Sequence, residues 1–277
     1  MMECWYSLPC WPAWKMIDVP MSKNSSLDIG NGAPLAPHPV MREFYRSEQE
    51  RRSVLISAFD ASASQYDRIN ASASLRSDAR YRQSTLARSG LGPGMKVLDV
   101  GCGTGMMARS AKAVVGPDGM VVGVDPSWAM LDQAVSQNRI DAGIIGIAER
   151  LPVKDAEFDF LTMSFALRHV SDLVGAFGEM ARVLRPGGEL LILEITKPPN
   201  RFAYHLLRFH LKFVVPTMAR LVRGGRAARW LYKYCWESHE QCVPPETILS
   251  AIKQAGFDDV RRTVTIGVFS EYRATKR

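Results

Sequence analysis

Three glycines at alternate positions, Gly101, Gly103 and Gly105, follow directly on the apolar run Val97–Val100, whose third residue is Asp99. Glycine has no Cβ, so the backbone there can turn sharply and lie against a ligand. The helix expected from Met106 would offer unpaired N–H groups at its start. Strand, glycine loop and helix start in that order make a site for a nucleoside-containing cofactor. Asp125 ends a second apolar run. An acid at that place accepts hydrogen bonds from ribose hydroxyls; its plain alternative is a cap for the helix beginning near Ser127. Further on, Arg168 and His169 set a permanent cation beside a titratable imidazole.

The loop spacing narrows the choice of cofactor. In the dinucleotide pattern G-x-G-x-x-G the third glycine stands three places after the second. Here that place is Met106, and Gly105 comes one residue earlier. A phosphate-binding P-loop needs Gly-Lys followed by Ser or Thr, and no lysine follows. The short G-x-G-x-G loop with Asp99 in its strand resembles the S-adenosylmethionine site of class I methyltransferases. That cofactor has no pyrophosphate, and Asp99 is expected to receive the ammonium of its amino-acid end, directly or through water. The competing reading is an ordinary glycine-rich βα turn.

The elements needed to position these residues are visible as alternating patterns. Strands are expected at Val97–Val100, Val121–Val124, Ile144–Ile147, Phe158–Met163 and Leu190–Leu193. Helices are expected at Met106–Val115, Ser127–Asn138, Val174–Leu184 and Pro245–Ala255, with Ser127 a helix cap. Two helical stretches, Pro39–Asp67 and Arg76–Ser89, precede the first strand. Two final strands, Val260–Ile266 and Val268–Arg273, pivot on Gly267. Strands alternating with helices imply a doubly wound, mainly parallel α/β sheet with helices on both faces. The terminal pair adds an antiparallel hairpin, giving seven strands. Ligands of such sheets bind outside the carboxyl ends of the strands, where Gly101–Gly105, Asp125, Ile147, Ala148 and Ser164 all fall.

The chain has 277 residues, 47% of them hydrophobic, and a net charge of +7. No apolar run reaches the ~18–20 residues of a membrane-spanning helix. The charge suits nucleic acid, an anionic membrane surface or an acidic substrate without choosing among them. Five scattered cysteines, Cys4, Cys10, Cys102, Cys235 and Cys242, show neither C-x-x-C nor zinc spacing. They read as free thiols in a reducing cytosol, and no metal is expected. Residues 1–40 read as a flexible extension. Its first twenty carry Trp5, Trp11 and Trp14 among prolines, and Ser25–Pro39 is rich in Ser, Gly, Asn and Pro. Residues 41–277 then form one domain, with 198–243 inserted as a substrate lid.

Several segments outside the loop carry a family resemblance. They are Y-D-R-I-N at Tyr66–Asn70, S-F-A-L-R-H-V at Ser164–Val170, R-V-L-R-P-G-G-E-L-L-I-L-E-I-T at Arg182–Thr196 and Y-C-W-E-S at Tyr234–Ser238. The T-I-G-V around Gly267 completes the set. Together with the glycine loop they resemble the ubiquinone/menaquinone biosynthesis C-methyltransferases. The resemblance implies S-adenosyl-L-methionine as cofactor and a quinol or phenolic acceptor that is expected to be lipidic. It matches Thr104, Asp125, Ala148 and Ser164 to cofactor-contacting positions and Arg168 to an active-site arginine. Tyr66, Asp99, Gly101, Gly103, Gly105, Met130 and Ile147 complete the expected cofactor set. The chain departs from the family after Asn70, where Ala71–Arg82 has neither histidine nor tryptophan, and at His169, where an asparagine is common.

Methylating an aromatic carbon needs electron density there, supplied when a neighbouring hydroxyl is ionised. Arg168 is expected to stabilise the phenolate, with His169 or water taking the proton. In 198–243, Phe202, Leu206, Phe209 and Phe213 recur at helical spacing beside Arg201, His205, Arg208 and Lys212. Arg220, Arg223, Arg226 and Arg229 add charge. This segment reads equally as a basic amphipathic helix on a membrane surface and as a lid packed on the domain. The expected location is the cytoplasm, with the inner membrane face as the site of contact in the first reading, and a homodimer is left open. No N/D-P-P-Y element follows Met163, which argues against nucleic acid. Two other functions stay open: methyl transfer to carbon, oxygen or nitrogen of a specialised metabolite, and a non-catalytic cofactor- or nucleic-acid-binding protein.

Overall fold

A computed structural model describes residues 34–74, 77–221 and 225–277. The readings of Met1–Pro20, Cys4, Cys10 and Arg223 fall outside these residues. Helices α1 (Glu48–Ala73) and α2 (Ser77–Ala87) lead into β1 (Lys96–Val100), α3 (Met106–Val115), β2 (Met120–Asp125), α4 (Trp128–Ser136) and β3 (Ala142–Ile145). Then come β4 (Phe158–Ser164), a 3₁₀ turn (Leu167–His169), α5 (Leu173–Val183) and β5 (Leu184–Ile195). The insertion holds α6 (Arg201–Phe209), a π-helical turn (His210–Val214), α7 (Val215–Leu221) and α8 (Gly225–Glu240). Helix α9 (Pro245–Gln254) and the hairpin β6 (Phe257–Thr265) and β7 (Phe269–Lys276) finish the chain.

The seven strands run in the order β3-β2-β1-β4-β5-β7-β6. Strands β1 to β5 are mutually parallel, and β7 lies antiparallel between β5 and β6. Alternation along each strand builds two cores. Leu98, Val100, Val122, Val124, Leu161, Met163, Leu190 and Ile192 face α5 and α9 through Phe177, Met180, Ile248 and Ile252. Val97, Val121, Phe160, Leu191 and Leu193 face the other way, onto Leu86, Met107, Ala111, Val115 and Leu131 of α2, α3 and α4. Both sheet faces are thus covered, as a parallel sheet requires.

Three features depart from the sequence expectation. Strand β5 begins at Leu184, so Pro186-Gly187-Gly188 lies inside a strand whose register against β4 shifts between Phe158 and Phe160. Helix α1 begins only after Ser47, which caps it by accepting from the Glu50 N–H. The third departure is the stretch 34–40, expected to belong to the flexible extension. The Leu35 N–H donates to Asp172 Oδ1 (3.0 Å), and its carbonyl accepts from Leu173 N–H (2.9 Å). The Pro37 carbonyl accepts from Val243 N–H (2.8 Å), and His38 is buried. Partners 130 and more residues away leave no trace in local composition.

Candidate active site

The carboxyl ends of β1, β2 and β4 open into a cleft roofed by α1. Its walls include Gly101, Gly103, Asp125, Met130, Ile147, Ala148 and Ser164, with Tyr66 and His169 at one side. Of the expected cofactor set, Asp99, Thr104 and Gly105 are not among its lining residues.

The glycine loop explains both groups. Gly101, Gly103 and Gly105 have φ of 64°, 54° and 79°, a region costly for other residues. A Cβ on Gly101 would stand 2.7 Å from the Ala166 Cβ, and one on Gly105 3.0 Å from the Arg139 Cβ. A Cβ on Gly103 would meet no atom within 4 Å, so this glycine borders the open cleft. Its N–H donates to Asp125 Oδ2 (2.8 Å), and Ser127 N–H donates to Oδ1 (2.9 Å). Each carboxylate oxygen keeps a further lone pair, so Asp125 is locked in place yet can still accept. Burial raises its pKa to about 6 despite those two donors.

Asp99 points the other way. Its oxygens accept from Thr162 Oγ1 (2.7 Å) and Ala108 N–H (3.1 Å), and the residue is fully buried. It therefore ties β1 to β4 and to the first turn of α3, and the expected contact with the cofactor ammonium is not part of this arrangement. Thr104 is turned toward α1, donating to Asp67 Oδ1 (2.5 Å). Arg139 Nη1 bridges Asp67 Oδ2 (2.6 Å) and the Thr104 carbonyl (2.8 Å). Gly105 is the left-handed residue preceding α3. These three residues shape the cradle from behind.

Helix α1 supplies most of what sequence reading missed. Arg51, Leu55, Ile56 and Phe59 line the cleft from above. Asp60 reaches down to α4, accepting from Ser127 Oγ (2.6 Å) and Ala129 N–H (3.1 Å), while Ser127 itself accepts from Met130 N–H. Asp60 and Asp67 thus fasten the roof to the two loops that form the floor. Their spacing of seven residues puts both on one face of a helix, a signal that was present but had no visible partner in sequence. Helix α2 adds Arg82, whose Nη1 donates to Ser164 Oγ (2.6 Å) and whose guanidinium lies 5.0 Å from the Phe165 ring centroid. Phe165 has φ 58° at the cleft wall, a backbone state that is strained for an aromatic residue.

The 3₁₀ turn separates the two expected catalytic residues. His169 faces the cleft, with its ring stacked on Tyr234 (5.6 Å between centroids) and edge-on to Phe59 (5.5 Å). Burial, with Arg168 and Arg51 nearby, holds its pKa well below 6.5, so the imidazole is neutral and a weak base. Arg168 turns inward and is not a lining residue. Its Nη1 donates to Glu194 Oε1 at 2.5 Å, and both side chains are buried. Burial opposes its charge, but Glu194 more than compensates and the pKa is raised. The Arg168 carbonyl accepts from Arg51 Nη2 (2.9 Å) and sits 3.1 Å from His38 Nε2. Thus α1 and the segment before it hold the turn.

The cleft fits a nucleoside cofactor without a phosphate cradle. It offers one anchored carboxylate at a strand end, an apolar wall from Met130, Ile147 and Ala148, and a glycine with free space beside it. The description ubiE/COQ5 methyltransferase family belongs to a family model that matches residues 46–276. The chain is 38% identical over 221 residues to a demethylmenaquinone methyltransferase of Mycobacterium sp. (strain JLS), covering 79% of this chain and 93% of that one. It is 32% identical over 272 residues to the ubiquinone/menaquinone biosynthesis C-methyltransferase UbiE of Vibrio vulnificus (strain YJ016), covering 94% and 100%. In fold it is similar to a SAM-dependent methyltransferase of Thermotoga maritima, with a TM-score of 0.56 at 21% identity over 80% of this chain and 100% of that one.

Proposed function

We propose, since this chain belongs to the ubiE/COQ5 methyltransferase family, that it is an S-adenosylmethionine-dependent C-methyltransferase acting on a quinol ring in quinone biosynthesis. The observation that carries the reading is the Asp125 carboxylate, fixed at the end of β2 by the Gly103 and Ser127 N–H groups with lone pairs to spare. Those lone pairs suit the two ribose hydroxyls. Met130, Ile147 and Ala148 suit the flat adenine ring, for which Ile147 has no polar side-chain contact to offer. When bound, S-adenosylmethionine supplies an electrophilic methyl group. The residues of the chain then have two tasks: to align the acceptor carbon with that group, worth ~7–11 kcal/mol in well-oriented reactions, and to draw the proton from its hydroxyl. Tyr66 and His169 bound the acceptor side. The expected result is transfer of label from the methyl of S-adenosylmethionine to a demethylated menaquinol or ubiquinol precursor, with the added mass on a ring carbon. Label found on oxygen, or none on any quinol, overturns the reading.

The acceptor is met at a membrane surface. Helix α6 has no buried residue, and Phe202, Leu206, Phe209 and Phe213 are 78%, 59%, 57% and 54% exposed. A lid helix would bury that stripe. Instead α7 and α8 do the packing, placing Val215, Ala219, Ala228 and Tyr232 on Ile69 of α1. Asn200 caps α6, and Tyr204 ties it to Glu240 of α8 (2.7 Å). Beyond Phe213 the stripe runs into a groove lined by Lys212, Arg226, Arg229 and Lys233 together with Glu43, Glu237, Trp230 and the buried Trp236, Lys233 being paired with Glu43. Exposed aromatics beside cations are the chemistry of an anionic lipid interface. Among the described residues no helix is long and apolar enough to cross a membrane, so contact is peripheral. Phe202→Ser combined with Phe209→Ser should weaken binding to anionic vesicles by more than about tenfold. Turnover of a water-soluble acceptor should be unchanged. Native protein that ignores vesicles but is dimeric by light scattering would assign the stripe to a second copy.

A further inference from the structure

The stretch Ala71–Arg82 ends on a buried cation to which the cofactor reading gives no task. Arg82 lies on α2, and Asp78 Oδ2 accepts from its Nε and Nη2, but both contacts are long at 3.4 Å. The short contact is to Ser164 Oγ, 2.6 Å from Nη1. The charge is also felt at the cleft. Burial raises the pKa of Asp99 and of Tyr66, a lining residue, and Arg82 opposes it in both. Asp99 is closed off by Thr162 and Ala108, so it does not answer this charge within the cleft.

The short hydrogen bond decides what Ser164 can do. A serine hydroxyl has one proton and two lone pairs, and a guanidinium has no acceptor. With Arg82 donating to Oγ, the hydroxyl proton must point away from the arginine. Among the described residues Ser164 Oγ donates to none, and Ser164 lines the cleft. Its hydroxyl is therefore a donor committed to the cleft. The cation behind it polarises the O–H and makes it a stronger donor than a free serine. Phe165, whose ring lies 5.0 Å from the same guanidinium, braces the arginine in that position.

The strand order says which part of a ligand meets this donor. A ribose on Asp125 and an adenine against Ile147 and Ala148 occupy the ends of β2 and β3. The amino-acid arm of S-adenosylmethionine then extends the other way, toward β1 and β4. Two strand spacings of ~4.8 Å separate β2 from β4, and Ser164 ends β4. The arm carries a carboxylate and an ammonium. A hydroxyl donor backed by a cation takes the first and disfavours the second. We infer that Ser164 receives the carboxylate of the cofactor and that Arg82 is the positioning residue that aims and strengthens its hydroxyl. This rests on the S-adenosylmethionine reading and adds to it the device that reads the charge at the far end of the cofactor. No proton moves: Arg82 stays charged, and Ser164 keeps its hydrogen while donating.

The test is calorimetric binding of S-adenosylmethionine, its decarboxylated form and 5′-methylthioadenosine, which has no amino-acid end. The native chain should prefer S-adenosylmethionine to the decarboxylated form by ~10–100-fold, the effect of one hydrogen bond to a charged group. Arg82→Gln should weaken S-adenosylmethionine by a similar factor yet leave 5′-methylthioadenosine within about twofold of native. Equal losses for both ligands would mean that Arg82 only shapes the cleft, and would overturn the inference. Native affinity of the variant for S-adenosylmethionine overturns it too. Adding Ser164→Ala to Arg82→Gln should cost no further affinity, because the arginine acts through that hydroxyl; additive losses overturn the positioning role. The comparison of the two cofactor forms needs no substitution. A native chain without preference between them overturns the inference even where the Gln variant fails to fold. A native chain that binds none of these ligands overturns the cofactor reading as well. Failure to methylate any quinol overturns the proposed reaction alone, since every outcome here is read by binding.

Discussion

Arg168→Met should lower turnover by ~10²–10³-fold, the effect of removing one donor that stabilises a developing negative charge. It should also lower the unfolding free energy by about 3–5 kcal/mol, because Glu194 is left buried without its counter-charge. Two effects from one substitution are separable here. Adding Glu194→Leu removes the stranded carboxylate. Replacing both members of a buried pair by apolar residues is often close to neutral for stability. The double variant should therefore recover most of the stability in chemical denaturation yet none of the turnover. Calorimetry should give both variants native affinity for S-adenosylmethionine, since the guanidinium stands outside the cofactor cleft. Recovery of turnover along with stability would make the pair a folding device only.

Asp125→Ala should raise the dissociation constant for S-adenosylmethionine about 10–100-fold, the loss of two hydrogen bonds to a charged group at about 1 kcal/mol or more each. Asp125→Asn should be nearly as severe. Both carboxylate oxygens accept from N–H groups of the loops, and an amide must turn its own NH₂ toward one of them. The pH dependence follows from the folded value of about 6. Ribose hydroxyls need the ionised form, so affinity should decline as pH falls through about 6. Stability of the free protein runs the opposite way. The folded pKa lies above the unfolded value of about 3.9, so the folded state holds more protons between these values. The unfolding free energy then falls as pH rises from about 4 to 6 and is level above. Asp99, also raised to about 6 by burial, adds to the same trend. Thermal unfolding at graded pH reads the sum.

Local chemistry made the glycine loop and the strand-end acid of the cleft legible. The glycines must lie where the chain turns with positive φ, and Asp125 must end a strand beside them; both facts are written within a few residues of each other. Ser127 was readable as a cap for the same reason. The rest of the cleft depends on contacts between distant segments. Nothing near Asp60 or Asp67 tells that α1 roofs the cleft, since their partners Ser127 and Thr104 lie 67 and 37 residues on. Asp99 was legible as a residue type but not as a direction: which face of β1 it serves depends on Thr162 of the neighbouring strand. The docking of Leu35 and His38 was hidden by a composition that reads as linker. The exposed stripe of α6 was visible as a pattern, but a pattern does not say whether its apolar side is covered.

The carbonyl of Arg168 is held from above by His38 and Arg51, 130 and 117 residues earlier, and His169 stacks on Tyr234, 65 residues later. That architecture sets an order of events. The βα units of the sheet close over short sequence separations, whereas this turn is completed only when Tyr234 of α8 joins the far earlier His38 and Arg51 around it. Contacts of large separation form slowly because loop closure must be met before they give any return. During synthesis the glycine loop and the Asp125 strand end can therefore assemble while α8 is still unmade. The floor of the cleft thus takes shape before the wall at His169 is fixed in place.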